Sequence, residues 1–131
     1  MTSHKAVLVV EDSKVQRTML SEYLTSAGVE TVTASDGEQA LQQFKRYRPR
    51  LVLLDVVLPR MNGYEVLRRL KRLSRDKPAV VMCTIKGEKC DRYWAEHQGA
   101  DGYLVKPIHP QQLIQIVKQF LNPEWMNSSV G

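Results

Sequence analysis

The sequence predicts a doubly wound α/β fold, a five-stranded parallel sheet with helices on both faces. Three observations carry that expectation. Short β-branched apolar runs alternate five times with stretches of helical apolar periodicity, the pattern of repeated βα units. The run Leu51-Val-Leu-Leu-Asp55-Val-Val-Leu58 is apolar on both alternations, so it reads as a strand buried on both faces, as parallel strands are. Polar side chains, carboxylates above all, stand where these runs end, and open α/β sheets gather their ligands there.

Taken in order, residues 5–10 form the first strand. Ser13-x-x-Gln16 then matches a capping box, and Val15, Met19, Leu20, Tyr23, Leu24 and Ala27 make a helical stripe that Gly28 ends. Residues 29–34 are the second strand. Ser35-x-x-Glu38 is a second capping box, opening a helix with Ala40, Leu41, Phe44 and Tyr47 on its apolar face. Residues 51–55 are the third strand, stopped by Pro59 and the Asn62-Gly63 turn. Tyr64, Val66, Leu67, Leu70 and Leu73 then define a helix over 63–74. Residues 79–84 are the fourth strand, 88–98 a weaker helix closed by Gly99, and 102–106 the fifth strand. The last helix opens at Pro110, where a missing N–H is harmless, and carries Leu113, Ile114, Ile116, Val117, Phe120 and Leu121. Asn122-Pro123 ends it. The expected organisation is one domain over 1–121 and a short tail over 122–131, with no output domain attached.

With 131 residues, 43% hydrophobic and 25% charged, the chain can bury a core without disulfides or structural metals. No apolar run approaches the ~18 residues of a membrane span, and the patch at 6–10 is too short for a signal sequence. The expectation is a cytoplasmic protein with no membrane insertion. Cys83 and Cys90 form no CxxC pair and read as a buried strand residue and a helix residue. His4, His97 and His109 are scattered singly, so no transition-metal site is indicated. The net charge of +5 comes largely from basic runs at 45–50 and 68–75, which read as solvated helix faces. No helix-turn-helix or RNA-binding signature supports direct contact with nucleic acid.

The strand ends bring Glu11, Asp12, Asp55, Thr84 and Lys106 toward one crevice. A carboxylate such as Asp55 is too costly to bury without a partner, and the plain alternative is a strand-ending Asp that caps the next turn. Three carboxylates at one place repel each other, and a hard divalent cation resolves this. Mg²⁺ suits carboxylate and backbone oxygens and commonly works beside a phosphate. A carboxylate nucleophile, a metal, a hydroxyl and a lysine together are what phosphoryl transfer onto Asp requires. The glycine fingerprints of dinucleotide and NTP sites are absent, as are a Ser nucleophile elbow and HExxH.

Glu11-Asp12, Leu54-Asp55, Pro59-x-Met61-Asn62-Gly63-Tyr64-Glu65, Thr84 and Lys106-Pro107, in that order, resemble the receiver domain of two-component response regulators. The resemblance implies a CheY-like, flavodoxin-like sheet of order 2-1-3-4-5. It implies Asp55 as the acceptor of a phosphoryl group from a sensor histidine kinase or histidine phosphotransfer protein. It implies Asp12, Asp55 and the Val57 carbonyl as Mg²⁺ ligands, with Glu11 acting through water. Lys106 would pair with the phosphoryl group and precede a cis Pro107. Thr84 would close on a phosphoryl oxygen, and Tyr103 would be the aromatic switch. A plainer role for Tyr103 is a strand residue half buried beside the last helix. Glu88-Lys-Cys-Asp91-Arg92-Tyr-Trp94 followed by Gln98-Gly-Ala100 resembles the regulators of type IV pilus motility and phototaxis, with packing as the plain role of Trp94.

Two positions depart from the common receiver pattern. Ile85 is larger than the small residue usual after the threonine and would narrow the pocket mouth. Val57 cannot hydrogen-bond the water that would hydrolyse an aspartyl phosphate, whereas Lys86 can hold a phosphoryl oxygen. The expectation is restricted access for small donors and slow self-hydrolysis. The protein is expected to be a phosphoacceptor and no enzyme, signalling to a downstream protein target. A phosphate sink and a constitutive docking module are alternatives on the same fold. An aspartyl-nucleophile phosphatase is disfavoured, because Val57 cannot serve as its general acid or base.

Overall fold

The structure, a computed structural model, describes residues 5–73, 75, 77–85 and 92–121, without the side chains of 92 and 93. Its elements are β1 (Val7–Val10), α1 (Lys14–Ser26), β2 (Thr31–Ala34), α2 (Gly37–Tyr47), β3 (Leu51–Asp55), α3 (Gly63–Arg72), β4 (Ala79–Ile85), α4 (Arg92–His97), β5 (Gly102–Lys106) and α5 (Pro110–Phe120). All strand pairs are parallel, in the order β2-β1-β3-β4-β5. The expected fold class and strand order are both present.

Two core layers follow from the period of two along each strand. Leu8, Val10, Val52, Leu54, Val80 and Met82 pack under Ala40 and Phe44 of α2, Val66, Leu67 and Leu70 of α3, and Ala95 of α4. Val7, Val9, Leu51, Leu53, Val81, Cys83 and Leu104 face Leu20 and Leu24 of α1 and Leu113 and Val117 of α5. Helices therefore cover both faces, which is why the strands are apolar on both alternations.

Several boundaries move for identifiable reasons. The first two strands begin two residues later than the apolar runs, at Val7 and Thr31. Val29 is spent closing α1: its N–H donates to Leu24 O at 3.0 Å, beside Gly28 at φ +82°. The cap of α2 is Asp36, one residue beyond the expected Ser35. Asp36 Oδ1 accepts from Gln39 N at 2.8 Å, and Gln39 Oε1 reaches back to Ser35 N at 2.6 Å. Val15, placed on the apolar stripe of α1, is 77% exposed. Five residues before Leu20, it stands about 140° around the helix from the buried face. β4 runs one residue further, to Ile85, which pairs with Lys106. The described part of α4 begins at Arg92, and the expected start near Glu88 lies outside the described residues, as do Cys90, His4 and the tail at 122–131.

The turn after β3 places the site. Asn62 caps α3 by accepting from Glu65 N at 3.0 Å, and Gly63 N donates to Val56 O at 2.8 Å. That bond draws α3 so close to the end of β3 that a Cβ on Gly63 would lie 2.2 Å from Asp55 O and 2.9 Å from Val56 Cα. Only glycine fits that approach. Gly99, at φ +103° with open space around it, tolerates a Cβ sterically and resists it only through its backbone.

In urea unfolding, Gly63→Ala is expected to cost more than about 2 kcal/mol through overpacking against backbone, and Gly99→Ala about 1 kcal/mol through its left-handed conformation. Equal costs would mean that the close approach at Gly63 does not constrain the fold.

Candidate phosphoacceptor and metal site

The strand order reverses between β1 and β3, so the crevice opens at their carboxyl ends. Glu11 and Asp12 leave β1 there, and Asp55 is the last residue of β3. Register carries the same edge across the sheet: Asp55 pairs with Cys83, Thr84 with Val105, and Ile85 with Lys106. Residues far apart in sequence are thereby set side by side by backbone pairing alone.

Lys106 ties the acidic side chains together. Its Nζ donates to Glu11 Oε1 at 2.6 Å and to Asp55 Oδ2 at 2.8 Å. The second oxygens of both acids are also engaged: Ser13 N donates to Glu11 Oε2 and Val57 N to Asp55 Oδ1, each at 3.1 Å. Glu11 and Asp55 are buried and Asp12 is exposed, yet one oxygen from each lies within 4.8 Å of the others. Among the described residues, three carboxylates thus gather around one ammonium that bonds two of them, a formal excess of two negative charges in that cluster. Oxygen-only donors short by two positive charges fit a hard divalent cation such as Mg²⁺.

Burial pulls the Lys106 pKa down, but the hydrogen bonds and charges of Asp55 and Glu11 outweigh it and hold the ammonium above its ordinary 10.5. Cys83 behaves oppositely. Burial first, and the charge of Asp55 second, push its thiol up to about 12, so it stays protonated at neutral pH and is neither a nucleophile nor a soft ligand. It is the buried strand residue its sequence context suggests.

Thr84 is buried, with its hydroxyl 3.5 Å from Ile85 O, a long contact that leaves the hydroxyl proton able to reorient. The Lys106–Pro107 peptide is cis, as the resemblance implies. Val57 and Ile85 are 58% and 56% exposed. Ile85 also lines an apolar cavity of about 380 Å³ with Met19, Leu20, Lys106, Pro107 and Ile108. Tyr103 is half-buried, but it packs with the layer that holds α2, α3 and α4, not beside the last helix. Alternation decides this: Leu104 faces α5, so Tyr103 points to the other side. Trp94 meets Tyr64 edge-on, ring centroids 6.4 Å apart at 81°, which is a packing role. Lys86 lies outside the described residues.

Sequence reasoning passed over Arg17, whose Nη1 donates to Glu11 O at 2.8 Å. The available signal was a basic residue in the opening turns of α1, where the helix dipole disfavours cations and a compensating partner is to be sought. The basic run of α3 lies apart from the carboxylates. Arg68, Lys71, Arg72 and Lys77 line a cavity of about 420 Å³ near the start of β4, and Lys71 is engaged by Asp101 and by Pro78 O. Among the described residues no helix is long and apolar enough to cross a membrane.

The folded protein holds the Lys106 ammonium more tightly than the unfolded chain does. Its contribution to stability is fully present below the unfolded value of 10.5 and is lost as pH rises through the higher folded value. The stability gap between the parent and Lys106→Met in urea is therefore expected to hold constant from about pH 8 to about pH 10 and to shrink above that. A gap indifferent to pH would dissociate the ammonium from the carboxylates.

Comparison with known proteins agrees with this geometry. The family model described as the response regulator receiver domain matches residues 7–118. A probable transcriptional regulator of Pyropia yezoensis, ycf27, is 43% identical over 115 residues, covering 88% of this chain and 46% of the relative. The alkaline phosphatase synthesis transcriptional regulatory protein PhoP of Bacillus subtilis is 37% identical over 118 residues, covering 90% and 49%. The chain spans about half the length of these curated relatives. Among solved structures, the Vibrio cholerae chemotaxis protein CheY4 superposes with a TM-score of 0.82 at 32% identity, covering 91% of this chain and all of that one. The matched span contains every residue of the acidic crevice and its lysine, and on that evidence the chain belongs to the response regulator receiver domain family.

Proposed function

We propose that Asp55 accepts a phosphoryl group from a phosphohistidine and that the resulting aspartyl phosphate gates a contact with a partner protein. The observation that carries this reading is the charge arrangement around Asp55: a buried carboxylate beside one ammonium and two further acids. Receiver domains of the family take phosphoryl groups from histidine kinases. The N–P bond of the donor would break, an Asp55 oxygen would form the new O–P bond, and the released imidazole nitrogen would take up a proton. Mg²⁺, held by Asp12, Asp55 and the Val57 carbonyl with Glu11 through water, would neutralise phosphoryl charge. Lys106, already 2.8 Å from Asp55 Oδ2, would pair with the bound phosphoryl group. Thr84 would turn its hydroxyl to a phosphoryl oxygen, and Tyr103 would shift with it, altering the surface around α4 and β5.

Exposed Val57 and Ile85 support a donor that presents an apolar surface over one that diffuses in as a small anion. With Val57 unable to orient water, the aspartyl phosphate would be long-lived, and Asp55 would serve as an acceptor and not as the nucleophile of a phosphatase. Likeness to CheY4, a chemotaxis protein, favours a taxis or motility output through protein contact. The longer relatives favour a second output, in which the receiver gates transcription: one of them, MtrA of Mycolicibacterium smegmatis, is named a DNA-binding response regulator and is 39% identical over 117 residues.

Intact mass after incubation with Mg²⁺ and a phosphorylated histidine kinase is expected to rise by one phosphoryl group in the parent and not in Asp55→Asn. No gain from any kinase or small donor would sink the reading. With acetyl phosphate, Ile85→Ala is expected to react faster than the parent, and Val57→Asn to lose its phosphate sooner. An unchanged rate or an unchanged lifetime would remove the corresponding role of that side chain.

A further inference from the structure

The β1–α1 loop supplies two of the three carboxylates, but it holds them differently. Glu11 is fixed through its own side chain, by Lys106 and by Ser13 N. The Asp12 carboxylate is exposed and accepts no hydrogen bond among the described residues. Its position therefore depends on the loop backbone. That backbone is held where Glu11 N donates to Ala34 O at 3.0 Å and Arg17 N to Ser13 O at 2.8 Å. Between these points the Arg17 guanidinium spans the turn, Nη1 donating to Glu11 O at 2.8 Å and, more weakly, to Asp12 O at 3.4 Å. Arg17 is the one side chain, among the described residues, that bonds the carbonyls of both acidic positions.

The placement has two opposed consequences. A cation near three carboxylates repels an incoming metal ion by Coulomb's law alone. A loop with its carbonyls tied down presents Asp12 without having to be ordered when the ion arrives, which favours binding. The guanidinium is bonded to the backbone carbonyls of the acids, and which effect prevails is what the Mg²⁺ affinity of Arg17 variants reads.

From this geometry we propose that Arg17 is a positioning residue for the cation site: it fixes the Glu11–Asp12 backbone so that Asp12 faces the metal and the phosphoryl group. The inference rests on the metal-assisted phosphoacceptor reading above. It is tested by calorimetric titration of the unphosphorylated protein with Mg²⁺, alongside thermal unfolding without Mg²⁺. Arg17→Met, which keeps the stem and loses the donor, is expected to weaken Mg²⁺ binding by tenfold or more. Arg17→Lys, and Arg17→Gln with a donor but no charge, are expected to recover part of the affinity. Mg²⁺ binding by Arg17→Met as tight as the parent's, or tighter, overturns the proposal, and lowered thermal stability with unchanged affinity does so too, by leaving Arg17 a structural role alone. A parent that itself fails to bind Mg²⁺ overturns the cation-assisted reading and this inference with it. A parent that binds Mg²⁺ while Arg17→Met binds it equally well overturns the inference alone.

Discussion

The Lys106 ammonium is the contact on which the site depends. It is bonded at once to an acid that follows β1 and to the acid that ends β3, and it arrives from the far strand of the sheet. Without it, two buried carboxylates would stand side by side with no cation between them. Like charges that close repel each other, and burial removes the water that would screen them. With it, each of the two acids has a positive partner at hydrogen-bond distance. The lysine is held tightly enough that burial does not strip its proton.

Such a contact needs a sheet that puts distant strands in register. Parallel order β2-β1-β3-β4-β5 lines up Val10, Leu54 and Met82 across the middle of the sheet and leaves Glu11 and Asp55, the next residues after Val10 and Leu54, at the crevice. The helices that cover each face do so through alternate strand residues, so the core that stabilises the fold also aims the polar ends. Gly63 links the two functions. Its close approach sets the start of α3 against the carbonyl of Asp55 and so fixes the helix relative to the end of β3.

The loop before α1 follows the same logic at smaller scale. Ser13 caps the helix with its hydroxyl, accepting from Gln16 N at 3.3 Å, while its own N–H binds Glu11. One residue thus starts a helix and orients an acid. The site is built from ordinary capping and pairing, with its special chemistry confined to the few charges that converge.

The sequence alone determined the element order, because five apolar runs alternating with helical periodicity leave few other arrangements, and β3, β5 and α5 fall where the periodicity places them. It also determined which side chains end strands, and so nominated Glu11, Asp12, Asp55, Thr84 and Lys106 as neighbours. Tertiary structure decided what local pattern cannot encode. Which of Ser35 and Asp36 caps α2 depended on reach to the Gln39 N–H, and the exposure of Val15 depended on which side of α1 met the sheet. The layer that receives Tyr103 depended on the alternation of β5 against two helix layers. Arg17 entered the site only because a helix turn brought its guanidinium back over the loop it follows. Patterning is a property of neighbours along the chain, whereas these contacts are set by distances across it.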